Sequence, residues 1–115
     1  MSTQLPKIAA SYIEATNGND ASAFLALFAS DAVVDDNGRQ HRGLDAIKVW
    51  SQREIFDANV TLEVLDAKES DGQSVVTTKV DGNFDRTGLP DPVIINHHLT
   101  CNGQHIESLS CRLAN

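Results

Sequence analysis

The sequence predicts an α+β domain, with helices in its first half and an antiparallel sheet in its second. Three observations lead there: apolar residues recur at helical spacing up to about residue 56, the period switches to two from residue 59, and glycine-containing turn pairs punctuate the second half. With 115 residues, 41% of them hydrophobic and 22% charged, residues 1–115 are expected to form a single domain with its own core. Only three prolines and seven glycines are present, so disorder is excluded as the main state.

The first helix is set by Leu5, Ile8, Ala9, Tyr12, Ile13 and Thr16, spaced to share one stripe, with Pro6 near its start and Gly18 just past its end. Asp20 then suits the N-cap of a second helix carrying Phe24, Leu27 and Phe28 at i, i+3, i+4. A short strand over residues 32–36 comes next. Asn37-Gly38 turns the chain, and after Gly43 the residues Leu44, Ile47 and Trp50 mark the inner stripe of a third helix. Four strands are expected over 59–68, 74–84, 93–101 and 104–113, with tight turns at Asp71-Gly72 and Asn102-Gly103 and a surface loop over 85–92. Gly82, inside the second of these strands, reads as a bulge that bends the sheet.

Sixteen acidic against nine basic side chains give a formal charge of -7, which repels phosphate backbones and anionic lipid. Nucleic acid and membranes are therefore not expected partners. No apolar run approaches the length of about 20 residues that spans a bilayer, and the amphipathic start does not resemble an export signal. A two-residue turn at Asn102-Gly103 separates Cys101 from Cys111 by far more than the roughly 7 Å that a disulfide spans. Free thiols and no export signal together favour the cytoplasm.

Turn register assigns the strand faces. Pairing Ser70 with Gln73 puts Leu65 and Ala67 with Val76, Thr78, Val80, Gly82 and Phe84, while Asp66, Lys68, Lys79 and Asp81 face away. Pairing Cys101 with Gln104 puts Ile94, Asn96, His98 and Thr100 with Leu109, Cys111 and Leu113. The other side then carries Val93, Ile95, His97 and Leu99 with Ile106, Ser108 and Ser110. That second apolar face suggests a homodimer through the outer side of the sheet.

The run from Phe28 through Asp31-Ala32-Val33-Val34-Asp35-Asp36 to Gly38, with Gly43, Ile47 and Trp50 beyond it, resembles the nuclear transport factor 2-like superfamily in its SnoaL-like branch. The stretch Val80-Asp81-Gly82-Asn83-Phe84 and the later Asn102 to Leu109 segment continue the likeness over essentially the whole chain. The resemblance implies a cone-shaped, curved, mostly antiparallel sheet wrapped by three N-terminal helices and enclosing a pocket. Members include ketosteroid isomerases, polyketide cyclases, dehydratases and binding modules without chemistry. Tyr12 and Asp36 are similar in placement to the helix tyrosine and aspartate base of the ketosteroid isomerase branch, and Asn96 stands where that branch has a second, protonated aspartate.

That likeness implies a cofactor-independent, acid-base isomerase or cyclase acting on a small apolar carbonyl compound, with Asp36, Tyr12, Asn96 and His98 as catalytic residues. A carboxylate inside an apolar cone suits a general base, whereas Asp beside Asn37-Gly38 equally suits turn chemistry. A buried tyrosine on an inner stripe serves packing as readily as catalysis. His98 could act as acid, base or donor, or be satisfied in the core, and a dehydratase using Asp36 with His98 is a variant reading. The pocket wall is expected from Phe24, Phe28, Val34, Trp50 and Phe56 on the N-terminal side. Thr78, Val80, Phe84, Leu109 and Cys111 supply the sheet side, with Cys111 in a packing role. His97 and His98 point to opposite faces of one strand, so a metal site is not expected and no cofactor is implied. A ligand-binding or dimerisation module remains the alternative.

Overall fold

In the computed structural model, which describes residues 6–70, 72–85, 87–102 and 104–114, helices and sheet divide the chain as expected. The elements are α1 (Lys7–Asn17), α2 (Ala21–Leu25), β1 (Phe28–Asp36), β2 (Arg39–Arg42), α3 (Gly43–Ser51), a π-helical turn (Gln52–Phe56), β3 (Thr61–Ser70), β4 (Gln73–Asp81), β5 (Val93–Cys101) and β6 (Ile106–Leu113). The six strands form one sheet in the order β2-β1-β6-β5-β4-β3, antiparallel throughout except for the β1–β6 pair. No helix among the described residues is long and apolar enough to cross a membrane.

Helix α1 buries Ala9, Tyr12, Ile13, Ala15 and Thr16 against the sheet. Its last turn is fastened by Asn17, whose Nδ2 donates to the Leu62 carbonyl (3.0 Å) and whose Oδ1 accepts from the Leu62 N–H (2.7 Å). Asp20 caps α2 through its side chain, as its residue type predicts, accepting from the Ala23 N–H at 3.1 Å. The helix nevertheless stops at Leu25. Phe28, expected on the same helix, instead opens β1, because the Leu27 carbonyl accepts from the Ile106 N–H (2.7 Å) and Phe28 pairs with Ile106. Sheet pairing here overrides a helical period only one turn long.

Asn37 (φ 48°) and Gly38 (φ 95°) form the tight turn between β1 and β2, both in the left-handed region that such hairpins require. The carboxylate serving this turn belongs to Asp35, whose Oδ1 accepts from the Gly38 N–H at 2.7 Å. Asp36 is thereby released from turn duty. β4 ends at Asp81, so Gly82 (φ 150°) is not the expected bulge within a strand but follows the strand, where a Cβ would come within 2.9 Å of the Ala58 carbonyl oxygen.

Two one-residue irregularities correct the predicted faces. Ser70 pairs with Gln73 as expected, but β3 bulges at Leu65, so Leu62 and Val64 turn inward while Leu65 is exposed. Asp71 itself lies outside the described residues. In the last hairpin Cys101 opposes Ile106 across a four-residue connection, and Thr100 opposes Ser108, leaving Glu107 as an extra residue. Lengthening a turn by two residues preserves side-chain parity, whereas one bulged residue inverts it. Val93, Ile95, His97 and Leu99 therefore join Leu109 and Cys111 on the inner face. Asn96 and His98 are correspondingly turned outward.

The dimer face expected on Val93, Ile95, His97, Leu99, Ile106, Ser108 and Ser110 fails for the same reason, since Val93, His97, Leu99 and Ile106 are buried within this one chain. Gly103, the second residue of the expected Asn102-Gly103 turn, lies outside the described residues. Both cysteines carry free thiols.

Candidate active site

An aromatic cluster forms the base of the cone. Phe24, fully buried, stands 5.5 Å from the Tyr12 ring, 5.2 Å from Phe28, 5.4 Å from Phe56 and 6.4 Å from Trp50, measured between ring centroids. Above it the inner face of the sheet opens into a cavity of about 350 Å³. Apolar walls come from Ile55, Leu62, Val80, Phe84, Val93 and Ile95, and polar groups from Tyr12, Thr16, Asp36, His97 and Cys111. The π-helical turn brings Glu54 and Ile55 to the rim, a use of such turns common near functional sites.

Register explains why these polar groups meet. Asp36 on β1 pairs with Cys111 on β6, and Cys111 pairs with His97 on β5, so three side chains occupy one row across three strands. Tyr12 descends onto that row from α1, its hydroxyl 2.8 Å from His97 Nδ1. Thr78 on β4 meets the other side of the ring, its Oγ1 2.9 Å from Nε2, and Cys111 Sγ lies 3.8 Å from Nδ1. Asp36 accepts a 3.0 Å hydrogen bond on Oδ2 from the Trp50 indole N–H, while its Oδ1 has no hydrogen-bond partner among the described residues.

Burial makes this floor electrically neutral. It pushes His97 from 6.5 down to about 4, with the neighbouring His98 charge acting the same way, so the imidazole is uncharged at neutral pH. Burial likewise raises Tyr12 well above 10, with Cys111 and then Asp36 adding to the effect. The Cys111 thiol is pushed up to about 12, first by burial and then by the Asp36 charge, which leaves it protonated and a poor nucleophile. The site therefore presents a phenol, a neutral imidazole and a thiol in line with the Asp36 carboxyl group, with Glu54 and Asp85 also on the cavity lining.

Of the residues singled out from sequence, Asp36 and Tyr12 line the cavity together. Asn96 and His98 do not: Asn96 accepts from Thr77 Oγ1 (2.6 Å) on the outer face, and His98 is exposed there. Trp50, Val80, Phe84 and Cys111 line the cavity, whereas Phe24, Phe28, Val34, Phe56, Thr78 and Leu109 pack behind it as core. His97, expected on the outer face, lies inside. A signal for its true position exists in the sequence, because Ile106 and Leu109 are three apart and cannot both face inward on a regular strand. Among the described residues no group of His, Cys, Asp and Glu is arranged to hold a metal ion.

Comparison with known proteins finds the SnoaL-like domain family matching residues 9–107. No curated protein matches the chain. Among solved structures, a candidate polyketide cyclase from Sinorhizobium meliloti is 31% identical, with a TM-score of 0.83 over 94% of this chain and 95% of that one. A hypothetical protein of ketosteroid isomerase-like fold from Catenulispora acidiphila, solved with trimethylamine, is 22% identical, with a TM-score of 0.81 over 95% and 86% of the two chains. The orange carotenoid protein of Anabaena, binding canthaxanthin, is 20% identical, with a TM-score of 0.78 over all of this chain and 38% of its own. The last two likenesses describe the fold.

Proposed function

The chain belongs to the SnoaL-like domain family, and on that footing we propose that its cavity takes a small, mostly apolar carbonyl compound and performs acid-base chemistry on it. Asp36 removes a proton from the carbon next to the carbonyl, and the Tyr12 hydroxyl stabilises the oxygen on which negative charge develops. The observation that carries this reading is the presence of both groups on one apolar cavity, with Asp36 relieved of the turn by Asp35 and its Oδ1 unengaged among the described residues. Isomerase and cyclase outcomes share that first step. The assignment of a polyketide cyclase role to a relative 31% identical over nearly its full length supports the same chemistry.

A ligand-binding module without chemistry is the second reading, favoured by the Trp50 hydrogen bond, which gives Asp36 a structural partner. One experiment separates them. Trp50 is the only tryptophan and lies on the cavity wall, so its fluorescence reports occupancy by a β,γ-unsaturated cyclohexenone. Hydrogen-deuterium exchange at the carbon next to that carbonyl, followed by NMR, reports proton abstraction. Enzymatic exchange lowered about 10²- to 10⁴-fold in Asp36→Asn supports the enzyme. Binding without exchange supports the module, and no binding refutes both.

We place a second copy of the chain against the outer sheet face rather than on the residues first expected. Val75, Thr77, Ile94, Asn96 and Thr100 form a partly buried area there on β4 and β5, with exposed Lys79 opposite Ile94 and exposed His98 opposite Val75, in a chain of net charge -7. Sedimentation should give a dimer that Thr77→Lys dissociates. A monomer at tens of micromolar would refute it.

A further inference from the structure

We infer that Thr78 and His97 are positioning residues that hold the His97 ring as its Nδ1–H tautomer and thereby turn the Tyr12 O–H into the cavity as a donor to the ligand's oxygen. The inference rests on the ligand-binding cavity proposed for this site but concerns groups that no proposed chemical step uses.

The hydrogen-bond protons around the ring have to balance. Neutral imidazole has one N–H donor and one acceptor nitrogen, and here Nδ1 faces Tyr12 while Nε2 faces Thr78. If Nε2 carried the proton, it would donate to Thr78 Oγ1 and Nδ1 would accept from Tyr12. The tyrosine's only proton would then be consumed inside the protein, and the Thr78 hydroxyl proton would need another acceptor. Thr78 is fully buried, and among the described residues His97 is the sole hydrogen-bond partner of its hydroxyl. That tautomer therefore strands a buried donor.

With the proton on Nδ1 both ring nitrogens and the Thr78 hydroxyl are matched, and only the weakly donating Cys111 thiol loses Nδ1 as an acceptor. Thr78 O–H donates to Nε2, Nδ1–H donates to Tyr12 Oη, and the tyrosine proton is left for a ligand oxygen in the cavity, against which Cys111 Sγ beside it is only a weak competing acceptor. The three hydroxyl and imidazole dipoles then run in one direction, from β4 through β5 to α1, and polarise one another towards the ligand. The ring is neutral at pH 7 because burial holds its pKa near 4, so a doubly protonated form does not compete.

The test uses ¹⁵N-labelled protein. Ring nitrogen shifts of His97 at pH 7 should show Nδ1 protonated and Nε2 bare, and Thr78→Val should mix the two tautomers while Thr78→Ser restores the parent pattern. A second readout is the carbonyl stretch of bound acetophenone. It should be red-shifted in the parent relative to hexane, lose that shift in Tyr12→Phe, recover part of it in Thr78→Val and most of it in Thr78→Ser. An Nε2–H tautomer in the parent would overturn the inference, as would a carbonyl shift unmoved by Thr78→Val. If acetophenone does not bind, the cavity reading fails by itself, and the nitrogen shifts still decide the tautomer.

Discussion

Replacing Phe24 with Ala is expected to remove about 3–5 kcal/mol of stability. Phe24 is the hub of the aromatic cluster, with four rings within 6.4 Å of its centroid and no exposed surface. Truncation removes the transfer free energy of the ring and leaves a void that Tyr12, Phe28, Trp50 and Phe56 cannot all close, because each is fixed to a different element. A domain of this size commonly has about 5–15 kcal/mol in total, so the variant would stand near the edge of folding. Urea unfolding checks this through its midpoint, which should fall by more than about 1 M at an unchanged slope of roughly 1–3 kcal/mol per M. Leu65→Ala is the control. That side chain is half exposed on the β3 bulge, and its loss should change stability by no more than about 0.5 kcal/mol. A Phe24→Ala midpoint as little changed as the control's would mean that the ring is not the keystone its burial indicates.

The same cluster shows where the sequence was legible. Tyr12, Phe24 and Trp50 sit on helical stripes whose period can be counted, and the structure buries all three. Asp36 was reachable through the parity of β1, where Val34 and Asp36 share a face, although the competing turn role was settled only by the hydrogen bond from Gly38 to Asp35. What period could not supply was the phase of strands joined through bulges. Glu107 in β6 and Leu65 in β3 each insert one residue, and each reverses every side chain on one side of it. The Glu107 bulge alone inverts β5 relative to a regular hairpin, bringing Ile95 and His97 inward and turning Asn96 and His98 outward. The out-of-phase pairs Ile106/Leu109 and Val64/Ala67 are the local evidence for both bulges, since apolar side chains an odd number of residues apart must both be inward. Helix α2 stops at Leu25, short of what its period predicts, for a different reason. The step from Leu27 to Phe28 is decided by a partner strand almost eighty residues away, through the Ile106 N–H, and no local pattern reports it.

Acidification is expected to weaken the fold steeply between about pH 6.5 and pH 4, through His97. Its pKa is about 4 in the folded chain against 6.5 for the exposed side chain, so between these values the unfolded chain binds a proton that the folded chain refuses. Stability therefore rises with pH across this window. The contribution is fully present above about 6.5, falls as pH drops, and is exhausted below about 4, where both states are protonated. A shift of this size corresponds to roughly 3 kcal/mol in all and to about 2 kcal/mol between pH 7.5 and pH 5.0. The physical source is specific: protonating the ring places a charge at a buried position between Tyr12 and Thr78 and removes the acceptor that the Thr78 hydroxyl needs. Urea midpoints at the two pH values measure the effect, and His97→Gln isolates it from every other titrating group. The variant keeps polar contacts to both hydroxyls but cannot titrate, so its pH dependence should be shallower than the parent's by about 2 kcal/mol over that interval. Parallel pH profiles for parent and variant would mean that His97 takes up its proton as easily folded as unfolded. The neutral floor beneath Asp36, and with it the donor chain that aims Tyr12, would then hold only above about pH 6.5.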